Sequence, residues 1–491
     1  MYDSDSLLLG FVESYAILIV STLDSILAHS IPLLESQNAM RVRYLKLNQF
    51  RNYPSLELHP GEGVNILYGQ NAQGKTNVLE ALSLLATTRS LRASRESELI
   101  FRGGDVARVM ADVVRECQGD VDLEVSVFQT DKKEVKINGS KRGRVVDILG
   151  QFNAVFFGSI DLVIVMGEPA DRRHYLNIEI SQISPRYVYD LGHYKRVLAQ
   201  RNRLLKELRD RPRPPKELGL DVWNEQLINY GAPIIEKRRF YLERLAPLAN
   251  QVHRALTDGK ENLEIRYLPS VRLPKPAELS TLSTAVVDNS MIRETNRETQ
   301  YLTEIQDATP ASESAPQTRV ESPLSDTEAI AAAFREQMAE MGLEEARRGV
   351  TLLGPQRDDI GFFIDGAETR LYGSQGQQRT ATLALKLAEF QLIQDYVGEP
   401  PVMLLDDVMS DLDDNRRAHL LEWVRRRCQT FITCTSLRPF PKEILAEATT
   451  FQVANGVVTP DVRRKTRNSR ILAEKEANKP ETASESVEIA S

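Results

Sequence analysis

The chain has 491 residues, of which 42% are hydrophobic and 27% charged, and its formal net charge is −7. This length suits two or three domains, and the acidic balance means that any binding to nucleic acid must use local basic patches. Three scattered cysteines favour buried thiols in a reducing cytosol over a disulfide framework or a zinc site. No apolar run reaches about 18 residues, so we expect a cytoplasmic protein without a membrane partner.

Residues 1–39 are predicted to be a loose extension or a mis-called start. The apolar stretch in residues 7–34 is interrupted by Glu13, Asp24 and His29, and it lacks the basic flank of a secretory signal. A strand-like segment begins directly after Met40, which suits a true start at that methionine.

Residues 64–80 predict a buried strand, a glycine-rich loop and a helix, in the order that a phosphate-binding P-loop requires. In this arrangement the loop N–H groups and the helix N-terminus bind phosphates, Lys75 reaches the terminal phosphates, and Thr76 holds Mg²⁺. The predicted nucleotide-binding residues are Gly69, Gln70, Asn71, Ala72, Gln73, Gly74, Lys75, Thr76 and Asn77.

Between residues 87 and 139, a basic loop with Arg89, Arg92 and Arg95 precedes strictly alternating apolar residues and the turn Asn138-Gly139. This alternation predicts an antiparallel meander beside a larger sheet.

From residue 166 to 345 the pattern becomes helical, with helices expected around 187–208, 223–245 and 328–341. Residues 276–326 and 463–491 are polar, which predicts a disordered insertion and a disordered tail. A basic set on the first helix could be an ordinary solvated face or a surface for DNA, and the sequence leaves both open. Its members are Lys195, Arg196, Arg201, Arg203 and Lys206.

A second part of the nucleotide site is predicted in residues 401–407, an apolar strand that ends in two aspartates. Asp406 would bind in the Mg²⁺ shell. Asp407, which would polarise the attacking water, and Lys75, which reaches the terminal phosphates, are the predicted catalytic residues. Two aspartates could merely end a strand, but a P-loop in the same chain favours the nucleotide role. Ser374 and Gly376 lie at a predicted helix start, where a hydroxyl and free N–H groups can bind an anion.

The segment around Ser374 resembles the signature of ABC-type ATPases, and residues 410–413 resemble the D-loop that follows the Walker B strand. The predicted fold is α/β: an ABC-type ATPase head, with a mixed sheet, flanking helices and an antiparallel meander, and an inserted α-helical arm domain. The head is expected at 40–165 and 346–462, and the arm at 166–345. The helical region carries no long heptad run, which argues against coiled-coil arms.

Six separated motifs resemble the RecF family of bacterial DNA replication and repair proteins over about residues 40–462. They occupy residues 47–53, 69–77, 198–202, 354–359, 374–378 and 404–413. The resemblance implies a weak, DNA-stimulated ATPase that uses ATP and Mg²⁺ and forms an ATP-dependent homodimer. It also implies binding to single-stranded and gapped duplex DNA, and work with RecO and RecR to load a recombinase. We expect this binding to be directed at the DNA backbone, through the basic loop at Arg89, Arg92 and Arg95 and the basic helix. Arg51 and Asn52 match the family's nucleotide-contacting segment, and Ser374 and Gly376 would reach the γ-phosphate on the other subunit.

Three departures from the family pattern are visible. The polar stretch before Glu328 is longer than the family pattern needs, and residues 1–39 have no counterpart. Gln356 stands where the family usually has histidine, and residues 157–161 differ so far from the usual segment that no Q-loop residue is assigned. Asp407 is shorter than the glutamate of transporter ATPases, which suggests slow hydrolysis. Two alternatives are the ATPase subunit of an ABC transporter, which would need a membrane partner, and a non-hydrolysing nucleotide-gated adaptor.

Overall fold

The computed structural model describes residues 39–211, 219–273 and 326–461. The described chain forms two compact units, one from residues 39–160 and 399–461 and the other from residues 161–398. The predictions for the extension at 1–39, the insertion at 276–326 and the tail at 463–491 therefore lie almost wholly outside the described residues.

The strands, in chain order, are β1 (Arg41–Phe50), β2 (Tyr53–Leu58), β3 (Val64–Tyr68), β4 (Val106–Val114), β5 (Val121–Phe128), β6 (Lys133–Ile137), β7 (Ser140–Lys141), β8 (Ala154–Gly158), β9 (Leu263–Leu268), β10 (Asp359–Ile364), β11 (Ala367–Glu368), β12 (Val402–Asp406), β13 (Thr430–Cys434), β14 (Thr449–Ala454) and β15 (Val457–Pro460). The helices are α1 (Lys75–Thr87), α2 (Leu162–Met166), α3 (Pro169–Ile183), α4 (Pro185–Asp210), α5 (Leu220–Leu256), α6 (Asp326–Arg348), α7 (Thr369–Tyr372), α8 (Gln375–Val397), α9 (Val408–Asp411), α10 (Asp414–Arg425) and α11 (Lys442–Glu447).

An antiparallel sheet in the first unit has the strand order β2-β1-β4-β5-β6-β7. Its last four strands follow one another as antiparallel neighbours, which confirms the predicted meander. The turn between β6 and β7 places Asn138 at φ 52° and Gly139 at φ 73°. Two successive positive φ values are what a tight hairpin turn needs, and Asn-Gly is the favoured pair.

The second sheet of this unit has the order β15-β14-β3-β13-β12-β8, and all its strands except β15 run parallel. Strands β3, β12 and β13 are nearly continuous buried apolar runs, as expected for a parallel sheet covered on both faces. Their carboxyl ends share one edge, where Asp406 pairs in register with Thr433 and Thr433 with Leu67. This edge brings the end of β3 and the end of β12 together.

Helix α1 is buried on nearly every side, whereas the sequence predicted a single apolar face. It packs against β8, β12 and β13 of the parallel sheet and also against β5 of the antiparallel sheet. Every residue from Val78 to Ala86 is therefore buried, including the polar Glu80 and Ser83. A helix covered by two sheets needs no solvent-facing stripe.

The second unit is mainly helical, and α5 packs against α4, α6, α8 and β9. Helices α4, α5 and α6 confirm the three predicted helices, and β9, β10 and β11 form a small antiparallel sheet. Within the described ranges, every helix is too short or too polar to span a bilayer. None of the three described cysteines forms a disulfide, and Cys428 and Cys434 are buried as expected, but Cys117 is exposed.

The predicted head–arm boundary at residue 346 differs from the compact units. Contacts group residues 346–398, including α8, with the helical unit. Because compactness alone does not define a functional domain, the assignment of residues 346–398 to an ATPase head stays a prediction.

Candidate nucleotide site

The loop between β3 and α1 requires glycine at its two ends. Gly74 has φ 108°, and a Cβ at this position would lie 2.4 Å from Asn52 Nδ2. A Cβ on Gly69 would lie 2.2 Å from the backbone oxygen of Val453. Both glycines therefore let neighbouring segments approach the loop more closely than any side chain allows.

Lys75 lies at the centre of this loop with its side chain largely buried. Its Nζ donates hydrogen bonds of 2.7 Å to the backbone oxygens of Gly69 and Gln70. Burial lowers the pKa of Lys75, and the nearby Asp407, Cys434 and Asp406 oppose that shift. A positively charged ammonium group that two backbone oxygens hold at this loop is suited to an anionic ligand.

Three side chains meet at the shared edge of the parallel sheet. The hydroxyls of Thr76 and Thr433 each donate a hydrogen bond of 2.7 Å to Asp406 Oδ1. Hydroxyl and carboxylate oxygens are the hard ligands that Mg²⁺ prefers, so Thr76 and Asp406 fit this ion. Among the described residues, no cluster of three or more His, Cys, Asp or Glu side chains could hold a metal ion. Magnesium here would therefore take its other ligands from phosphates and water.

Asp407 follows β12 in the left-handed region, with φ 54°. Its N–H donates to Thr433 Oγ1 at 2.9 Å, and Ser410 Oγ donates to its Oδ1 at 3.0 Å. Thr433 thus bridges the two aspartates through one hydroxyl. The sequence did not assign Thr433 a role, although its position, one strand away from the paired aspartates, is the signal that could have found it.

The P-loop and Asp407 line one cleft of about 220 Å³. The described residues that line it are Asn71, Ala72, Gly74, Lys75, Thr76, Asn77, Arg92, Asp407 and Thr433.

Arg51 and Asn52 lie at the turn between β1 and β2, directly beside the P-loop. Asn52 Nδ2 donates to the backbone oxygen of Gln73 at 2.9 Å, and its Oδ1 accepts from Asn77 Nδ2 at 2.7 Å. Arg51 donates to both carboxylate oxygens of Glu80 at 2.9 and 2.7 Å. Both residues therefore lie beside the P-loop, and their direct contact with a nucleotide stays a prediction.

Glu80 organises the surroundings of the loop and was missed at the sequence level. Its buried carboxylate accepts from Arg51, from Ser90 Oγ at 2.5 Å and from Arg92 at 3.4 Å. Burial alone would raise the pKa of Glu80, but the hydrogen bonds from Arg51 and Ser90 and the charges of Arg51 and Arg92 outweigh it and lower the pKa. A charge within a buried apolar helix was the available signal, because such a group requires partners.

Arg92 was grouped with Arg89 and Arg95 as a basic loop for DNA, but the structure separates it from them. Its guanidinium reaches Glu80 and donates to Asn77 Oδ1 at 2.9 Å, which places it in the nucleotide cleft. All three arginines are exposed, so Arg92 is distinguished by these contacts with the cleft and not by burial.

The signature-like segment begins α8 in the second unit. Ser374 caps this helix: its Oγ accepts from Gln377 N at 3.2 Å, and its own N–H donates to Gln377 Oε1 at 2.9 Å. Gly376 is exposed, and the atom nearest to a Cβ there would be Ser374 Oγ at 3.9 Å. Nothing in its own fold requires this glycine, so the open space beside it is available to another molecule.

Gln356, which replaces the family's usual histidine, has a structural position. Its Oε1 accepts from the hydroxyl of Tyr194, and its Nε2 donates to the backbone oxygen of Leu353 at 2.8 Å. The neighbouring Asp358 accepts from the buried Arg238 at 3.1 Å. The segment at 354–359 therefore joins α4, α5 and β10 within the helical unit.

Comparison with known proteins identifies the family of this chain. The family described as the RecF/RecN/SMC N-terminal domain matches residues 41–458. The DNA replication and repair protein RecF of Oceanobacillus iheyensis is 37% identical over 419 residues, covering 85% of this chain and 100% of the relative. The chain belongs to the RecF family. The RecF of Symbiobacterium thermophilum is 39% identical over 426 residues, 86% of this chain and 99% of that relative.

Solved RecF structures share the fold. A structure described as the recombination mediator protein RecF-ATPrS in the RecFOR pathway has a TM-score of 0.70 and 31% identity, and covers 87% of this chain and 100% of its own. A second, described as RecF-ATP, has the same TM-score and identity and covers 86% and 98%. These RecF likenesses confirm the predicted α/β ATPase fold class, and the separate arm domain stays a prediction.

Proposed function

We propose that this RecF-family chain is an ATP-dependent DNA-binding protein of recombinational repair and replication-fork maintenance. The observation that carries the proposal is the cleft lined by Lys75, Thr76 and Asp407. Thr76 in this cleft donates a hydrogen bond to Asp406. The descriptions of RecF-ATP and of the RecFOR pathway for similar structures support ATP as the nucleotide and RecO and RecR as partners.

In the proposed ATP site, each residue has a separate task. Loop N–H groups and Lys75 bind the phosphates, and Arg51 and Asn52 keep the loop in place through Glu80 and Gln73. Mg²⁺ held by Thr76 and Asp406 would neutralise charge on the phosphates. Asp407 would orient the attacking water, and Thr433 accepts a hydrogen bond from its backbone N–H. The short side chain of Asp407 suits slow turnover.

The proposed homodimer completes this site. Ser374 and Gly376 lie at an exposed helix N-terminus, where free N–H groups and the positive end of the helix dipole favour an anion. In the dimer, this helix end reaches the γ-phosphate bound to the other subunit, so that ATP joins two copies and hydrolysis releases them.

The proposed DNA contacts are electrostatic and independent of sequence. Exposed cations at Arg89 and Arg95 and along α4 would bind phosphates of single-stranded or gapped duplex DNA. With RecO and RecR, the DNA-bound dimer would help to load the recombinase, and DNA would stimulate the weak ATPase.

One experiment tests these points together. ATP turnover is measured with and without gapped DNA, while light scattering reports the mass with and without Mg·ATP. We expect slow, DNA-stimulated turnover and a dimer only with ATP. Lys75→Ala should abolish ATP binding, whereas Asp407→Ala should bind ATP and remain dimeric.

Specific results would contradict the proposal. If the protein stays monomeric at saturating Mg·ATP, with and without DNA, the proposed ATP-dependent homodimer is excluded. Binding and dimerisation without any turnover would favour the nucleotide-gated adaptor. Full turnover in Asp407→Ala would exclude the catalytic assignment.

A further inference from the structure

Three aromatic rings form a ladder on the surface of the helical unit. Tyr189 and His193 lie one turn apart on α4 with ring centroids 4.2 Å apart, and His193 stacks on Tyr230 of α5 at 4.8 Å and an interplanar angle of 24°. Tyr189 and Tyr230 also meet edge to face, with ring centroids 6.3 Å apart and an interplanar angle of 64°, so the three rings of this ladder form one compact cluster. Tyr189 is 43% exposed, and His193 and Tyr230 are partly exposed.

The ladder contrasts with the other tyrosines of α4. Tyr187 and Tyr194 are buried, and their hydroxyls bond to Asn177 and Gln356. These two rings build the core between the helices, whereas the ladder rings pack mainly on one another. Aromatic rings at the surface bury less apolar area than rings in the core, so they add less to stability. Exposed aromatic rings are common at binding sites.

Cations lie beside both tyrosines of the ladder. The Arg186 guanidinium is 5.6 Å from the centroid of the Tyr189 ring, and its side chain is 69% exposed. Arg196 is exposed and follows His193 by three residues on α4, which places it on the same helix face. Burial raises the pKa of Tyr230, and the charge of Arg196 opposes that shift. Lys237, two turns beyond Tyr230 on α5, is exposed as well. The acidic group here, Asp190, is buried and accepts from Arg186 at 3.0 Å.

Exposed rings flanked by cations fit one ligand chemistry. Bases of an unpaired strand stack on aromatic faces whatever their sequence, while nearby Arg and Lys bind the phosphates between them. In a duplex the base faces are already covered by neighbouring base pairs, so a stacking surface selects single strands. Because the Arg186 side chain is mostly exposed and lies beside the Tyr189 ring, its guanidinium can meet a phosphate next to a stacked base.

We propose that the ladder of Tyr189, His193 and Tyr230 stacks the bases of a single-stranded DNA segment, and that Arg186, Arg196 and Lys237 bind its phosphates. The inference rests on the proposed DNA binding and deepens it, because it assigns the contact that distinguishes an unpaired strand from a duplex. The single-stranded part of a gapped substrate would lie along this face of α4 and α5.

The test compares two probes of equal charge on the full-length protein. Fluorescence anisotropy measures the affinity for an oligothymidine and for an abasic strand of the same length, which has phosphates but no bases. The unchanged protein should prefer the oligothymidine. Joint Tyr189→Ala and Tyr230→Ala substitution should weaken oligothymidine binding by at least about tenfold and leave abasic and duplex binding unchanged.

Two matched variants separate stacking from damage to the fold. Joint Tyr189→Phe and Tyr230→Phe substitution keeps the rings and should retain oligothymidine affinity within about twofold. Phe240→Ala removes an exposed ring elsewhere on α5, one that lies 4.5 Å from the Arg244 guanidinium, and should change nothing. As a direct signature, a 2-aminopurine strand should lose fluorescence on the unchanged protein but not on the alanine variant.

The outcomes are distinguishable. If the alanine variant binds all strands as the unchanged protein does, the ladder is not a DNA surface and the proposal fails while DNA binding stands. Equal losses for the abasic strand and the oligothymidine would also overturn stacking. If the unchanged protein binds no DNA of any kind, the proposed function fails and the ladder assignment with it.

Discussion

The hydroxyl of Thr433 forms hydrogen bonds with both aspartates of the site. It donates to Asp406 and accepts from the N–H of Asp407, so a single oxygen sets both positions. Thr433→Val keeps the shape but removes this oxygen. We expect ATP binding to persist while turnover falls about 10- to 100-fold, as for groups that orient the residues around a metal. Steady-state turnover beside nucleotide titration checks this, and Thr433→Ser should restore activity. Normal turnover in the valine variant would leave Thr433 without a role.

Glu80 gives the nucleotide end of α1 a dependence on pH. Its pKa in the folded state is below the ordinary value of 4.5, so its ionised form stabilises the fold above that value, and the contribution is lost as the pH falls below it. Glu80→Gln should therefore destabilise the protein at pH 7, and the difference in free energy of unfolding from the unchanged protein should shrink towards pH 4. Denaturant unfolding at both pH values measures it. Glu62→Gln, at an exposed side chain, is the control and should show no such trend. A difference that does not change with pH would show that the charge of Glu80 is unimportant.

At the scale of elements, the turn from the P-loop into α1 depends on one glycine. Alanine at position 74 would combine a φ of 108° with a contact of 2.4 Å to the Asn52 amide. Gly74→Ala should cost about 1–3 kcal/mol of stability and displace Asn52 from the loop. Gly63→Ala is the matched control, because a Cβ there meets nothing within 4 Å. Thermal unfolding of both variants, with and without ATP, measures the effect. Equal melting temperatures would contradict this view of the turn.

Helix α4 carries two kinds of arginine that the sequence could not separate. Arg201 is buried and bonds to Glu345 at 2.5 Å and to Thr351 at 2.7 Å, so it belongs to the interior and not to a DNA surface. Arg203, two residues later, is exposed. Arg201→Ala should destabilise the protein by about 3–5 kcal/mol because it leaves Glu345 buried and unpaired. Arg203→Ala should be nearly neutral in the same denaturant titration. Similar losses in both would contradict the assignment.

The elements themselves were largely predictable, because their periodicities are local. Alternation at residues 121–127 predicted β5, and helical spacing predicted α4, α5 and α6. Which faces of these elements are buried was less predictable. The coverage of α1 by a second sheet and the interior position of Arg201 depend on partners far away in the chain, which no local pattern contains.

At the scale of the whole molecule, a net charge of −7 requires that DNA affinity come from local cations and depend on salt. We expect the logarithm of the affinity for single-stranded DNA to fall linearly with the logarithm of salt concentration. Removing Arg203 or Lys206 should each reduce this slope by about 1. Arg335, whose guanidinium pairs with Glu225 at 2.8 Å, provides a control substitution that should leave the slope unchanged. A slope near zero would exclude electrostatic binding.

Most residues of the site could be identified from the sequence, but the way in which they come together could not. The motifs identified Lys75, Thr76, Asp406 and Asp407 because each lies next to a strand end with a recognisable pattern. Thr433 and Glu80 have no such pattern of their own. Their importance follows from strand order: β13 lies between β3 and β12, and only that arrangement brings Thr433 to Asp406.

The strand order also has a consequence for synthesis of the protein on the ribosome. Within the described residues, strand β3, which leads into the P-loop, has β13 and β14 as its two sheet neighbours, and Gln73 in the loop accepts from the N–H of Asn455. The loop is translated early, but its neighbours emerge more than 360 residues later. At about 5–20 residues per second, this delay is on the order of tens of seconds. During that time β3 has unpaired edges, so the nascent chain must protect an apolar strand from other chains, and the nucleotide site matures as one of the last parts of the protein.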